Sequence, residues 1–357
     1  MLDSQDKNLI SNIVDELEDH QKSFFDFTRK NKLKISPFFK IWSENIIKDI
    51  RRDPNNILNF RKLNLTVADT PSYNSAYKKM LFKLCSSIFF FKKIHPQISI
   101  LEDAYYFAKN KNLLHTMKRF SLPLTGNVSY YKKNDLLFTH KWIRHHWLLS
   151  LFEKNLAKKK SISIILDIGS NYGLFEYLLK KNYPDKKFIM TDFPEKLAVA
   201  NFFLKKEFPE AKFLTYKNIK DMEYLDRDIV NNYDFILIPT FYVNKFKKNS
   251  ADVLCNFASF NEMENWWFRY YLESDIVNSA SYLFTLNRII KPKYDPESKD
   301  DPISILDFNL DNYEKIHFDI CALYKLSYET EKIFGIPIFS NKKYHEPVFE
   351  YIGRKKN

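Results

Sequence analysis

An aspartate, two glycines and an asparagine fall close together in Asp167-Ile168-Gly169-Ser170-Asn171-Tyr172-Gly173. Gly169 and Gly173 can take positive φ and carry no side chain, and Asn171 is the residue next most tolerant of that conformation. A tight turn of this kind, opening a helix, aims free backbone N–H groups at a ligand. A second acid, Asp192, comes roughly 25 residues later, at the C-terminal edge of an apolar run, where a carboxylate can accept both hydroxyls of a ribose. An N-cap for a helix after Pro194 is the competing reading of Asp192. A third group, Asn256, Ser259 and Glu262, leaves another apolar run, and Glu262 there could act as a base. Ser259-x-x-Glu262 also has the form of a capping box, in which Glu262 would only tie back to the Ser259 backbone.

The elements that must hold these residues alternate as a doubly wound sheet does. Residues 162–168 form a β-branched run suited to a strand buried on both faces, and 174–181 continue as an amphipathic helix. Strands are expected at 187–192, 233–240, 252–256 and 282–286, with a further short one at 213–216. Helices are expected at 194–208 and 262–274. Two extended runs, 317–324 and 348–353, close the chain. The expected fold is therefore α/β, doubly wound and mostly parallel.

The glycine spacing separates two classes of ligand. A dinucleotide fingerprint, G-x-G-x-x-G, would place a third glycine where Leu174 stands. The pattern D-x-G-x-N-x-G instead resembles the first motif of class I S-adenosylmethionine-dependent methyltransferases. The stretch DVLCNFASFNEM (252–263) lacks the N-P-P-Y or D-P-P-Y form expected of enzymes that methylate a base or glutamine nitrogen. Taken with Asp192-Phe193-Pro194, YLFTLN (282–287) and Thr125-Gly126-Asn127, it is similar to the bacterial sugar O-methyltransferase family over roughly residues 120 to 350.

That resemblance implies a Rossmann-like methyltransferase sheet ending in an antiparallel hairpin, with S-adenosylmethionine as cofactor. It implies a cofactor site at Asp167, Gly169, Ser170, Asn171, Gly173, Asp192, Phe193 and Asn256, and an acceptor side at Ser259, Asn287 and Tyr130. The acceptor would be a glycan, or a nucleotide- or lipid-linked sugar. A sugar hydroxyl is a weak acid, so a positioned base is needed, or a metal to lower its pKa. Glu262 is the leading base, alone or with His140, His145 or His146, which lie just before the first strand of the cofactor domain. No cluster of histidines and carboxylates stands at metal-ligand spacing, so no metal is expected.

The 357 residues divide into a helical, basic region over 1–155, which would cap the acceptor, and a methyltransferase domain over 156–357. Apolar residues recur at helical spacing over 6–30, 37–50 and 75–93. Residues 1–160 carry 29 Lys+Arg against 15 Asp+Glu, whereas 161–357 carry 27 against 29, so the whole net charge of +12 arises in the first part. Such a surface could steer an anionic partner, and an RNA methyltransferase is the alternative. No RNA-binding module is seen, and nucleic acid is not the favoured partner. A cofactor-binding scaffold without catalysis is a third reading. Residues 78–93, apolar with basic flanks, could rest on an anionic membrane, although a core helix with solvated ends fits better. Three scattered cysteines, Cys85, Cys255 and Cys321, and an acidic start without the form of a secretory signal point to a reduced, cytosolic setting.

Overall fold

The computed structural model describes residues 4–33, 35, 37–63, 65–66, 69, 96–159, 161–290, 303–323, 332–333, 336–337 and 347–356. The expected helix at 75–93, with Cys85, lies outside them.

In chain order, the N-terminal part supplies α1 (Ser4–Lys30), α2 (Pro37–Arg52), α3 (Pro96–Asn110) and α4 (Leu114–Arg119), a hairpin of β1 (Tyr131–Lys133) and β2 (Leu136–Phe138), and α5 (His140–Asn155). The hairpin was not expected; Asn134 and Asp135 make its turn, with φ of 47° and 62°. The sheet part then runs β3 (Ile164–Ile168), α6 (Leu174–Asn182), β4 (Lys187–Asp192), α7 (Pro194–Glu207), β5 (Phe213–Leu214), β6 (Phe235–Pro239), β7 (Val253–Phe257), α8 (Asn265–Leu272), β8 (Tyr282–Arg288) and β9 (Tyr313–Ile320). A small hairpin, β10 (Lys332–Ile333) with β11 (Ile336–Pro337), precedes the last strand, β12 (Val348–Lys355). Three short helices, Tyr216–Ile219, Arg227–Asn231 and Asp275–Ser279, fill connections.

Eight of these strands form one sheet in the order β5-β6-β4-β3-β7-β8-β12-β9. β5, β6, β4, β3, β7 and β8 are parallel, and β12 runs antiparallel to both β8 and β9. The doubly wound, mostly parallel α/β fold with one antiparallel strand near its end is thus present. β3, β4, β6 and β7 are apolar almost throughout because helices or loops cover both faces. Strand order reverses at β3, whose neighbours are β4 on one side and β7 on the other. An open α/β sheet places its ligand crevice at such a point, beyond the carboxyl ends of the strands.

One face of the sheet and the N-terminal helices share a single apolar core, which includes Ile10, Leu17, Phe60, Trp142, Phe175, Phe203 and Phe235. The opposite face has its own core, with Leu166, Ile168, Phe268 and Phe349. Ile10, Ile13, Leu17 and Phe24 lie buried along one stripe of α1, and that stripe packs on α7. Polar contacts pin the helix along its length: Lys206 to Asp6 at 2.7 Å, Thr215 to Glu16 at 2.9 Å and Lys220 to Asp19 at 2.9 Å. Among the described residues no helix is long and apolar enough to cross a membrane.

Candidate active site

The loop between β3 and α6 takes the conformation its composition suggests: φ is +80° at Gly169, +56° at Asn171 and +83° at Gly173. Three left-handed residues in alternation fold the chain back in one tight turn, which only glycine and asparagine tolerate at low cost. A Cβ on Gly169 would stand 2.1 Å from Ser259 Oγ, so the turn after β7 presses directly on the loop. Ala258, also left-handed at φ 57°, aims that turn.

Asp192, at the end of β4, reaches across to the same loop. Its Oδ2 accepts the Asn171 backbone N–H at 2.7 Å and its Oδ1 accepts the Phe193 N–H at 2.7 Å. The N-cap of α7 is Phe193, without a side-chain capping bond, so Asp192 does not serve that helix as a cap. Each carboxylate oxygen retains lone-pair capacity, enough for a diol in addition to the two amides. Burial raises its pKa, and the two amide hydrogen bonds oppose the rise.

Asn256 ties the strands together beneath the loop. Its Nδ2 donates to the Ile168 carbonyl at 2.6 Å, and its Oδ1 accepts from Phe260 N at 3.0 Å and from Asn287 Nδ2 at 2.8 Å. Asn287 Nδ2 also reaches Thr285 Oγ1 at 2.6 Å. Asn256 and Asn287 are fully buried, and these bonds fix the ends of β3, β7 and β8, while Asn287 Oδ1 is buried without a hydrogen-bond partner among the described residues.

The turn after β7 differs from the expected helix over 262–274. Phe260–Glu262 is a single 3₁₀ turn, Met263 and Glu264 are extended, and α8 begins only at Asn265. Ser259 makes no side-chain capping bond, so the S-x-x-E capping box is not formed. Glu262 instead lies 3.3 Å from Arg288, at the end of β8, in a half-buried ion pair.

His140, His145 and His146 lie on α5 with 6%, 7% and 0% exposure. Burial lowers all three, His140 and His146 to about 3 and His145 well below the usual imidazole value. His145 Nδ1 bonds the Lys141 carbonyl at 2.7 Å, and His146 Nδ1 meets Thr116 Oγ1 at 3.1 Å. Imidazoles so reluctant to hold a proton pack the helix and are poor bases near neutral pH. Tyr130 stands half exposed at the start of the β1–β2 hairpin.

Several residues to which the sequence assigns no role converge on the loop. Tyr172 OH donates to Asp69 Oδ1 at 2.7 Å, and Arg61 Nε donates to Asp69 Oδ2 at 2.6 Å. Lys141 Nζ lies 3.7 Å from Asp69 and 4.8 Å from the Tyr172 ring centroid. Burial would raise Asp69, but Lys141 and Arg61 hold its carboxyl below the usual range. Burial brings Lys141 down to about 7 against the opposing pull of Asp69. A second cluster lies beyond β4 and β6: Phe24 of α1 meets Phe193 edge-on at 5.8 Å and stacks with Trp267 at 6.0 Å, while Phe27 stacks with Phe241 at 5.2 Å. At its outer edge Trp266, 39% exposed, stacks on Tyr270 at 4.9 Å. A groove between α1 and α2, lined by Gln21, Glu44, Ile47, Lys48, Arg51 and Arg52, contains none of these residues.

Around the loop, Asp167 Oδ1, Ser170 Oγ and Asn171 Oδ1 are buried and meet no hydrogen-bond donor among the described residues. Buried acceptors without donors are costly in an empty protein and suit a ligand that brings N–H or O–H groups. S-adenosylmethionine fits that chemistry: its ammonium and ribose supply donors, and it carries no phosphate for the missing third glycine to admit.

No family model and no curated protein matches this chain. Among solved structures it is similar to the N-methyltransferase NodS from Bradyrhizobium japonicum WM9 in complex with S-adenosyl-L-homocysteine, at 11% identity over 61% of this chain and 88% of that one, with a TM-score of 0.37. It is also similar to the PH0226 protein from Pyrococcus horikoshii OT3, at 12% identity over 60% and 90% of the two chains, TM-score 0.35. A SAM-dependent methyltransferase from Aquifex aeolicus matches at 14% identity over 59% and 89%, TM-score 0.33.

Proposed function

We propose that this protein is an S-adenosylmethionine-dependent methyltransferase that methylates a sugar hydroxyl of a glycan, or of its nucleotide- or lipid-linked precursor. The observation that carries the cofactor reading is the pairing of a left-handed D-x-G-x-N-x-G loop with Asp192 at the point where strand order reverses, ringed by donor-less acceptors. When bound, S-adenosylmethionine would supply an electrophilic methyl carbon to an acceptor oxygen in line with its C–S bond, the broken bond's electron pair staying on the sulfur. Asp192 would hold the ribose diol, and the loop amides with Asp167 and Ser170 would take the amino-acid end. Phe193 and the aromatic residues brought by α1 would exclude water from the nucleoside. Glu262, oriented by Arg288, would receive the hydroxyl proton as the new C–O bond forms.

Two features support a sugar acceptor. The turn after β7 reads Asn256-Phe257-Ala258-Ser259, unlike the proline-containing form of nitrogen methylation. Trp266, exposed and backed by the partly buried Tyr270, offers an aromatic face of the kind that covers the C–H face of a pyranose. Such an acceptor is assembled in the cytoplasm, at or beside the inner face of the membrane.

The test is incubation of the full-length protein with methyl-labelled S-adenosylmethionine and extracted surface glycans, lipid-linked precursors or total RNA. Label in the carbohydrate fractions supports the proposal. Label confined to RNA, with a steep loss of binding as salt rises, would replace the acceptor and leave the cofactor.

A further inference from the structure

The turn Thr125-Gly126-Asn127 is distant from the glycine loop in sequence, yet one buried chain of contacts joins the two. Gly126 takes φ +86°, and a Cβ there would stand 2.2 Å from the Phe60 ring, so only glycine lets Phe60 sit against this turn. The Gly126 carbonyl accepts the Arg61 backbone N–H at 3.0 Å, and the Pro123 carbonyl accepts from Arg61 Nη1 at 2.5 Å. Phe60 meets Tyr172 edge-on with ring centroids 5.1 Å apart, and the Arg61 guanidinium lies over the same ring, 5.5 Å from its centre. Arg61 Nε donates to Asp69 Oδ2, while Asp69 Oδ1 accepts the Tyr172 hydroxyl. The Asp69 backbone carbonyl accepts the Lys141 N–H at 2.8 Å, in the first turn of α5. Phe60 and Tyr172 are fully buried, and Arg61 and Asp69 nearly so. Residues 60–69 thus hold both the ring and the hydroxyl of Tyr172. That residue stands between Asn171 and Gly173, two of the three left-handed positions of the loop.

We infer that residues 60–69 and the turn at 125–127 form a clasp that sets the glycine loop in its binding conformation before the cofactor arrives, with Asp69 and Tyr172 as positioning residues. This rests on the cofactor reading above. Two glycines give the loop more backbone freedom than any other residue type would. A ligand that finds the turn formed only part of the time binds more weakly by that fraction. Tyr172, docked on Phe60 and bonded to Asp69, removes the freedom from one side, and Asp192 holds the neighbouring Asn171 N–H from β4. Two acids from different parts of the chain therefore fix two consecutive residues of the turn. The N-terminal region sets cofactor affinity through the loop and needs no contact with the cofactor itself.

The experiment sets S-adenosylmethionine affinity beside amide hydrogen exchange over residues 168–174 in the full-length protein. In the wild type these amides should be protected already without cofactor, a readout that needs no variant to fold. Tyr172→Phe should speed their exchange and weaken binding by about tenfold, the scale of one buried bond to a carboxylate. Gly126→Ala, which drives a methyl group into Phe60, should act in the same direction from a position outside the loop. Trp147→Phe removes a bond of like chemistry, from Trp147 Nε1 to Glu350, and serves as the control. It should lower stability while leaving loop exchange and cofactor affinity unchanged. Free exchange of the loop in the wild type until cofactor is added, Tyr172→Phe binding as tightly as the wild type, or an equal loss of affinity in Trp147→Phe overturns the clasp and leaves the cofactor assignment standing. A wild-type protein that binds no S-adenosylmethionine removes both.

Discussion

Asp192 Oδ2 accepts the backbone N–H of Asn171 at 2.7 Å, so the acid ending one strand holds the glycine loop that follows its neighbour. The same carboxylate that shapes the loop is the group with capacity left for a diol. Binding and local architecture are therefore joined at one side chain, and loss of Asp192 should loosen the turn as well as the ligand.

Gly169 gives a sharper test of the loop. Alanine there would keep φ near +80° against a strain of about 1–2 kcal/mol and would drive its Cβ to 2.1 Å from Ser259 Oγ. Gly169→Ala should lower the thermal midpoint and abolish cofactor binding. Adding Ser259→Gly should recover part of the stability, since it removes the contact and leaves the strain. Equal midpoints for the single and double variants would show that Ser259 does not press on the loop.

Glu262 and Arg288, 3.3 Å apart, make a claim about chemistry. Glu262→Gln should reduce kcat by roughly 10²- to 10⁴-fold, the usual span for a lost general base, with cofactor affinity unchanged. The measurement is steady-state methyl transfer beside a binding titration. Undiminished kcat would assign the pair to holding the turn after β7.

Tyr172 joins the loop to the N-terminal region through Asp69. Tyr172→Phe leaves the ring packed but removes a buried bond to a carboxylate, worth about 1.5–3 kcal/mol. Chemical denaturation should show that loss with little change in slope. A stability equal to wild type would mean that Arg61 and Lys141 satisfy Asp69 alone.

Glu350, 1% exposed on β12, supplies a pH signature away from the site. Burial raises it to about 7, while Trp147 Nε1 donates to its Oε2 at 2.7 Å and opposes the rise. The folded protein therefore holds this proton more tightly than the unfolded chain. Stability should fall as pH climbs from the ordinary glutamate value toward 7, by up to about 3 kcal/mol from this group. Glu350→Gln, which keeps the acceptor for Trp147, should flatten that decline in urea titrations between pH 5 and pH 8. A decline as steep as the wild type's would acquit Glu350.

The sheet was legible because each strand carries its own signal. Residues 187–192 are bounded by Lys187 and Asp192 around an apolar run, and β4 has those bounds; Gly169, Asn171 and Gly173 announce a left-handed turn by type alone. The N-terminal hairpin had a signal too, since Asn134-Asp135 is a pair that tolerates the positive φ of a tight turn. The grip on the loop was not legible. Arg61, Asp69, Lys141 and Tyr172 are far apart in the chain and meet only once it is folded, with α5, which carries Lys141, packed on α6, which follows Tyr172. The motif at Ser259 and Glu262 misled in the other direction, because Met263 and Glu264 stay extended and delay the helix to Asn265.

Binding of radiolabelled S-adenosylmethionine by equilibrium dialysis, to the wild-type protein and to Asp192→Ala, tests the cofactor site most directly. The wild type should bind, and the variant should bind more weakly by on the order of 2 kcal/mol through the lost diol hydrogen bonds. Absence of binding to the wild type, or equal binding to the two proteins, would contradict a nucleoside held at Asp192.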